Sequence, residues 1–198
     1  VTTVQVTGLD STYLPVSFPA VNVDGLEGEW FSRAFNRTVF SRGTSTRGQS
    51  YEVLSLTPRP TAEQINATTA SGQDLTDVLT QLPIGVPGII GNLAREVTAN
   101  ATTDYDKLIA LQSWFRGPEF AYSLDAPVED GFDGTGLEAL AQFLTVREGY
   151  CIHFAASFAV MARELGMPSR IVVGYLPGVA TGETLNDEQQ FVVSSDNL

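Results

Sequence analysis

Residues 147–178, REGYCIHFAASFAVMARELGMPSRIVVGYLPG, decide how this chain is read. The segment opens on Gly149-Tyr150-Cys151 and continues as an apolar, alanine-rich run. Gly166 closes that run, with Pro168 just beyond it. A glycine after the last periodic residue followed by a proline is a helix stop, so the spacing predicts a helix over 151–165. SRIVVGYLPG then reads as a strand over 169–176 and TGETLNDEQQ as an exposed turn. FVVSSDNL reads as the beginning of a further strand, at 191–195. At 100° per residue, with Cys151 at zero, Phe158 falls at about −20°, Leu165 at about −40° and Met161 at about −80°. The wheel therefore places the sulfur on a buried stripe, with His153, Ser157 and Glu164 around the opposite face. The enzymatic reading hangs on that inward-facing sulfur: a thiol turned to bulk water, or one midway along a helix and sealed in hydrocarbon, would collapse it.

Two effects act on a thiol at such a position. First-turn N–H groups and the helix dipole favour thiolate, by about 1 kcal/mol, whereas apolar burial opposes it. An imidazolium partner would offset the desolvation. The plain alternative is a cysteine that is only a small buried hydrophobe. Its place at a helix start, directly after Gly149 and Tyr150, favours the nucleophile; glycine lets another backbone or a substrate approach closely. His153, about 200° around the helix, is poorly placed as the base and reads as a solvated or locally hydrogen-bonded side chain.

Upstream, residues 1–60 read as β: VTTVQV alternates, PVSFPAVNV carries Val16, Phe18, Val21 and Val23, EWFSRAFNRTVFS suggests a hairpin turning near Asn36, and SYEVLSLT forms a strand. Residues 61–86 read as a variable connection with one or two short helices around Leu75, Val78, Leu79 and Leu82. From Pro87 the periodicity becomes helical. One helix carries Ile90, Leu93, Ala94 and Val97; a second, capped by Thr103 or Asp104, ends at Gly117-Pro118; a third opens on the capping-box pattern Thr135-Gly-Leu-Glu138. The organisation expected is thus 1–60, 61–86 and 87–198, in an α+β fold.

Composition narrows the function classes. Eleven Lys and Arg stand against 23 acids, a formal net charge of −12, which excludes a phosphate-backbone partner such as nucleic acid. One Cys and one His preclude an intrachain disulfide and cannot supply a zinc ligand set. Glu129, Asp130 and Asp133 lie in an acidic loop whose spacing does not match a calcium loop, so no metal and no cofactor is expected. No apolar run reaches the ~18–20 residues needed to span a bilayer. Three Asn-x-Thr sequons (Asn36, Asn66, Asn100) are read as incidental. The opening VTTVQVTGLD carries neither Met nor a leader pattern and reads as a segment of a longer protein.

The 147–178 run resembles the transglutaminase-like (papain-like cysteine) superfamily, in particular its membrane-anchored, extracytoplasmic bacterial branch. The likeness lies in the Gly-x-Cys turn, the Phe-Ala helix, the Met-Ala-Arg, the Gly-x-Pro-x-Arg exit and the Gly-Tyr strand. DYDKLIALQSWFRGPEFAYSL and DGFDGTGLEALAQFL extend it to about residues 87–178, and YLPVSFPAVNVDGLEG is similar to the β segment preceding the core in that branch. The resemblance implies a core of helices around the cysteine helix with a partial antiparallel sheet. It also implies Cys151 as a nucleophile that attacks carboxamides of a protein or peptide substrate, with Tyr122, Gly149 and Tyr150 as possible pocket residues. In the family a His, typically in His-Ala-Trp, follows a segment like FVVSSDNL. The triad's His and Asp are therefore expected beyond Leu198, and the chain alone is expected to be inactive. The alternatives are a papain-like peptidase or amidase on cell-wall peptides and a non-catalytic binding or scaffold module. An exposed sheet edge, with dimerisation or strand exchange through it, is a further expectation.

Overall fold

The computed structural model describes residues 1–70, 76–125, 136–185 and 187–195. Two compact units emerge, residues 1–59 with 173–198, and residues 60–172. Glu129, Asp130, Asp133, Thr135 and Leu75 fall outside the described residues.

The first unit is β. Strands β1 (Thr2–Gln5), β2 (Ala20–Asp24) and β5 (Ser50–Ser55) form an antiparallel sheet in the order β1-β5-β2. β5 alternates as a half-buried strand should: Tyr51 and Val53 face inward while Glu52 and Leu54 face out. Val6, Leu14 and Val39 complete this small core. The Tyr51 hydroxyl donates to the Pro15 carbonyl at 2.6 Å, and burial pushes its phenol up from the ordinary tyrosine range. β3 (Phe31–Arg33) and β4 (Thr38–Phe40) form the expected hairpin, whose turn includes Asn36. Thr46 is fully buried because its hydroxyl is satisfied twice, donating to Leu9 and accepting from the Ser11 N–H.

The second unit is helical. Two short helices, α1 (Ala62–Asn66) and α2 (Thr76–Thr80), precede α3 (Gly88–Val97) and α4 (Asp104–Phe115). Then come β6 (Ala121–Tyr122), α5 (Gly136–Val146), β7 (Glu148–Gly149) and α6 (Cys151–Glu164). Pro87 is the N-cap of α3, where its missing N–H costs nothing. Thr103 caps α4 in a reciprocal box with Asp106, each side chain accepting the other's backbone N–H. Ile90, Ala94, Leu111, Phe115, Leu140, Phe143, Leu144 and Met161 form one buried cluster. Trp114 and Phe120 pack against it, with rings 4.8 Å apart.

A Schellman motif ends α6. Gly166, at φ +79, supplies the left-handed residue; its N–H donates to Arg163, and the Met167 N–H reaches back to Ala162. Arg163 then pins the exit. Its guanidinium donates to the carbonyls of Gln81 and Ser169, both at 2.8 Å, and to the Ser169 hydroxyl.

The expected strand positions are corrected. No ladder among the described residues includes 169–178, and Ile171, Val172, Val173 and Leu176 are exposed. The hairpin is instead β8 (Val179–Leu185) with β9 (Glu188–Val192), turning through Asp187 at φ +65. A β-branched run becomes a strand only where a neighbour meets its backbone groups. Here the polar segment read as a turn finds that neighbour.

Two outcomes follow from this packing. The Asp104 carboxylate is held below the ordinary range, first by Lys107 at 2.8 Å and then by the Ala70 N–H at 2.9 Å. A depressed carboxylate stabilises above its unfolded value, near 3.9, and that contribution fades as pH falls through the folded value. Asp104→Asn is therefore expected to lower the melting temperature at pH 6, with the gap to wild type closing in acid; melts across that range check it. Ser157 is fully buried, and its Oγ has no hydrogen-bond partner among the described residues. Ser157→Ala should be neutral or stabilising by about 1 kcal/mol in denaturant unfolding.

Candidate active site

The turn before α6 is built by a short parallel pairing. β6 lies beside β7 with Ala121 opposite Glu148 and Tyr122 opposite Gly149. Ala121 and Ser123 donate their N–H groups to Arg147 and Gly149, at 2.9 and 2.8 Å. Arg147 leaves α5 at φ +60, ion-paired with Glu119 and lying over the rings of Trp114 and Phe120. The backbone entering the cysteine helix is thereby anchored on two sides.

Cys151 is the first residue of α6, and its side chain is exposed. This corrects the inward-facing thiol expected from the helical wheel. The residues α6 buries are His153, Ser157, Ala159, Met161 and Ala162, with Phe154 and Phe158 packed alongside. On the wheel Cys151 lies between the buried Ala162, at about +20°, and the packed Phe158, at about −20°, so its exposure comes from its place at the helix end and not from its azimuth. Weighing only apolar residues sent His153 and Ser157 outward, although they sit in the core. A first-residue side chain also leans toward the N-terminus, past the packed turns. The exposed side chain removes the inward-facing thiol on which the sequence reading of an enzyme hung, and only the position at the helix start is left to support it.

The other residues singled out fall around the same turn. Gly149 is buried, and a Cβ there would come within 2.8 Å of the Phe143 ring and 3.0 Å of His153 Nδ1. The room its hydrogen leaves is taken by those two rings. Tyr150 is the N-cap, extended at φ −121, with its ring edge-on to His153 at 4.4 Å. Tyr122 is 65% exposed and stacks on Phe154 with centroids 6.5 Å apart. Ile152, next to Cys151 in the chain, and Leu124, two residues after Tyr122, are also exposed.

His153 is 1% exposed, not solvated, and its Nδ1 accepts the Tyr150 N–H at 3.3 Å. Of the two readings, solvated or locally hydrogen-bonded, the second holds. The signal for it was its place three residues after the cap, where a side-chain acceptor can close a capping box. Among the described residues no group of three or more His, Cys, Asp or Glu side chains could hold a metal ion.

Comparison with known proteins identifies this arrangement. The family model of the transglutaminase-like superfamily matches residues 91–195. A 70-residue stretch is 37% identical to the protein-glutamine gamma-glutamyltransferase of Pseudomonas aeruginosa, covering 35% of this chain and 10% of that protein. A 104-residue stretch is 29% identical to the uncharacterized protein YebA of Bacillus subtilis, covering 52% of this chain and 14% of that protein. The chain therefore spans a small part of either relative's length. Crystal structures of the periplasmic domain of TgpA from Pseudomonas aeruginosa, free and bound to ethylmercury, share the fold. Their TM-scores are both 0.62 at 23% and 22% identity, over 89% and 90% of this chain and 56% and 58% of those. No described helix is long and apolar enough to cross a membrane. With the α+β fold and the cysteine helix in place, and the family match running over more than half of its length, the chain belongs to the transglutaminase-like superfamily.

Proposed function

We propose that this chain carries the nucleophile of a cysteine acyltransferase acting on carboxamide groups of protein or peptide substrates. The observation that carries the reading is the position of Cys151 as the first residue of α6, within the family's matched span. Such a thiol sits beside first-turn N–H groups and the positive end of the helix dipole, which are placed to bind a developing oxyanion. In the reaction, Sγ attacks the carboxamide carbon. The C–N bond then breaks, ammonia leaves with the proton taken from the thiol, and a thioester remains. An amine that attacks the thioester gives a new amide and returns the thiol, whereas water gives a carboxylate. Tyr122, exposed beside the turn, supplies an aromatic wall for the acyl donor.

The chain has one histidine, and it is buried with Nδ1 already engaged. We therefore assign this chain the nucleophile and not the base. The proposal takes the base and its orienting carboxylate from outside residues 1–198, and the periplasmic domain among the structural neighbours supports an extracytoplasmic setting.

The test is incorporation of a fluorescent primary amine into a glutamine-containing protein by the longer protein, alongside ammonia release. Cys151→Ala should lower both by at least about a thousandfold, as for loss of any covalent nucleophile. Ammonia release without amine incorporation would assign hydrolysis instead, and full activity in Cys151→Ala would overturn the reading. The 198-residue chain alone should show no turnover; rapid acylation of Cys151 by an amide substrate in that chain would remove the assignment of the base elsewhere.

A further inference from the structure

We propose that His153 is a positioning residue for Cys151, holding the turn that presents the thiol by accepting the Tyr150 N–H on Nδ1. The inference rests on the reading of Cys151 as nucleophile. Its physical basis is separate.

Tyr150, the N-cap of α6, makes no side-chain cap hydrogen bond. Ser, Thr, Asp or Asn at that position would satisfy a first-turn N–H, and tyrosine cannot reach one. What closes the end of the helix is the other half of a capping box: a residue at N3 reaching back to the N-cap N–H. His153 occupies N3, and its Nδ1 lies 3.3 Å from the Tyr150 nitrogen. An accepting Nδ1 carries no proton, so the proposal places the proton of a neutral ring on Nε2, which is itself buried.

The ring is also wedged in place. Its stacked neighbour is Phe143 at 5.7 Å, and Tyr150 stands edge-on at 4.4 Å. Gly149 makes this possible, because a Cβ there would lie 3.0 Å from Nδ1 and 3.2 Å from the His153 Cβ. Gly149, Tyr150 and His153 thus interlock immediately before the thiol. The turn cannot shift without displacing a ring that has nowhere to go. Cys151 is held at the helix end by a contact it does not itself make.

Packing and acceptor can be separated by substitution. His153→Phe keeps an aromatic ring and loses the acceptor; His153→Gln keeps an acceptor at N3 and loses the ring. Two readouts apply to the chain as it stands: deuterium exchange at the Tyr150 amide, and the pH profile of Cys151 alkylation by iodoacetamide. His153→Phe is expected to speed exchange at Tyr150 and to slow alkylation at neutral pH by about two- to fivefold, with the alkaline plateau unchanged. His153→Gln should hold both within about twofold of wild type, as acceptor rescue requires. Wild-type behaviour in His153→Phe, or equal shifts in both variants, would overturn the proposal.

Should either variant fail to fold, the native chain decides by itself. Its ¹⁵N imidazole shifts should report an unprotonated Nδ1 at neutral pH, and a proton on Nδ1 would reverse the assignment. None of these measurements involves acyl transfer. Failure of the nucleophile reading, seen as activity surviving Cys151→Ala, is therefore distinguishable from failure of this one.

Discussion

The packing of the inner face of α6 against the aromatic cluster of α4 and α5 is the constraint on which the helical unit depends. Met161 and Ala162 are essentially fully buried, and Phe154 and Phe158 meet Phe115 with ring centroids 6.1 Å apart. Aromatic side chains bury large areas and interlock at these separations, so the helix has little freedom to rotate about its axis. Fixing that rotation also fixes which way its first residue points. Cys151 shares its azimuth with the buried Ala162 and the packed Phe158, and it is exposed because it is the first residue, beyond the packed turns.

Both ends of α6 are tied down by different chemistry. At the far end, Gly166 terminates the helix and Arg163 binds two carbonyls, joining the exit to the segment around Gln81. A guanidinium suits this task because its planar fork offers several donors at once and stays charged throughout. At the near end the charged anchor lies one step back, where Arg147 pairs with Glu119. The turn itself carries the His153 Nδ1 contact, a glycine with no room for a side chain, and the short β6–β7 pairing.

Membership of the transglutaminase-like superfamily gives the exposed thiol its meaning, and the exposure changes the physical account of it. A desolvated thiol would need an imidazolium to become reactive, whereas an accessible one at a helix start is already placed among backbone dipoles. The acidic composition bears on partners rather than on chemistry, because it disfavours phosphate-rich ligands.

Much of this was legible in the residues alone. Gly166 with Pro168, Thr103, Pro87 and the stripe Ile90, Leu93, Ala94, Val97 mark helix ends and faces through local effects. Capping, backbone permissiveness and periodicity act within a few residues and are written in them. The Gly-Tyr-Cys turn, in its wider run, carried the family resemblance in the same way. Rotation of α6 and pairing of the last strands were decided by tertiary structure. His153 and Ser157 are polar and would be placed at the surface by any local scale; only the neighbours that enclose them put them inside. Residues 169–176 have strand chemistry without a ladder, and Val179–Leu185, more polar, has one. A strand exists through its partner's hydrogen bonds, and a partner is a fact about the fold, not about the segment.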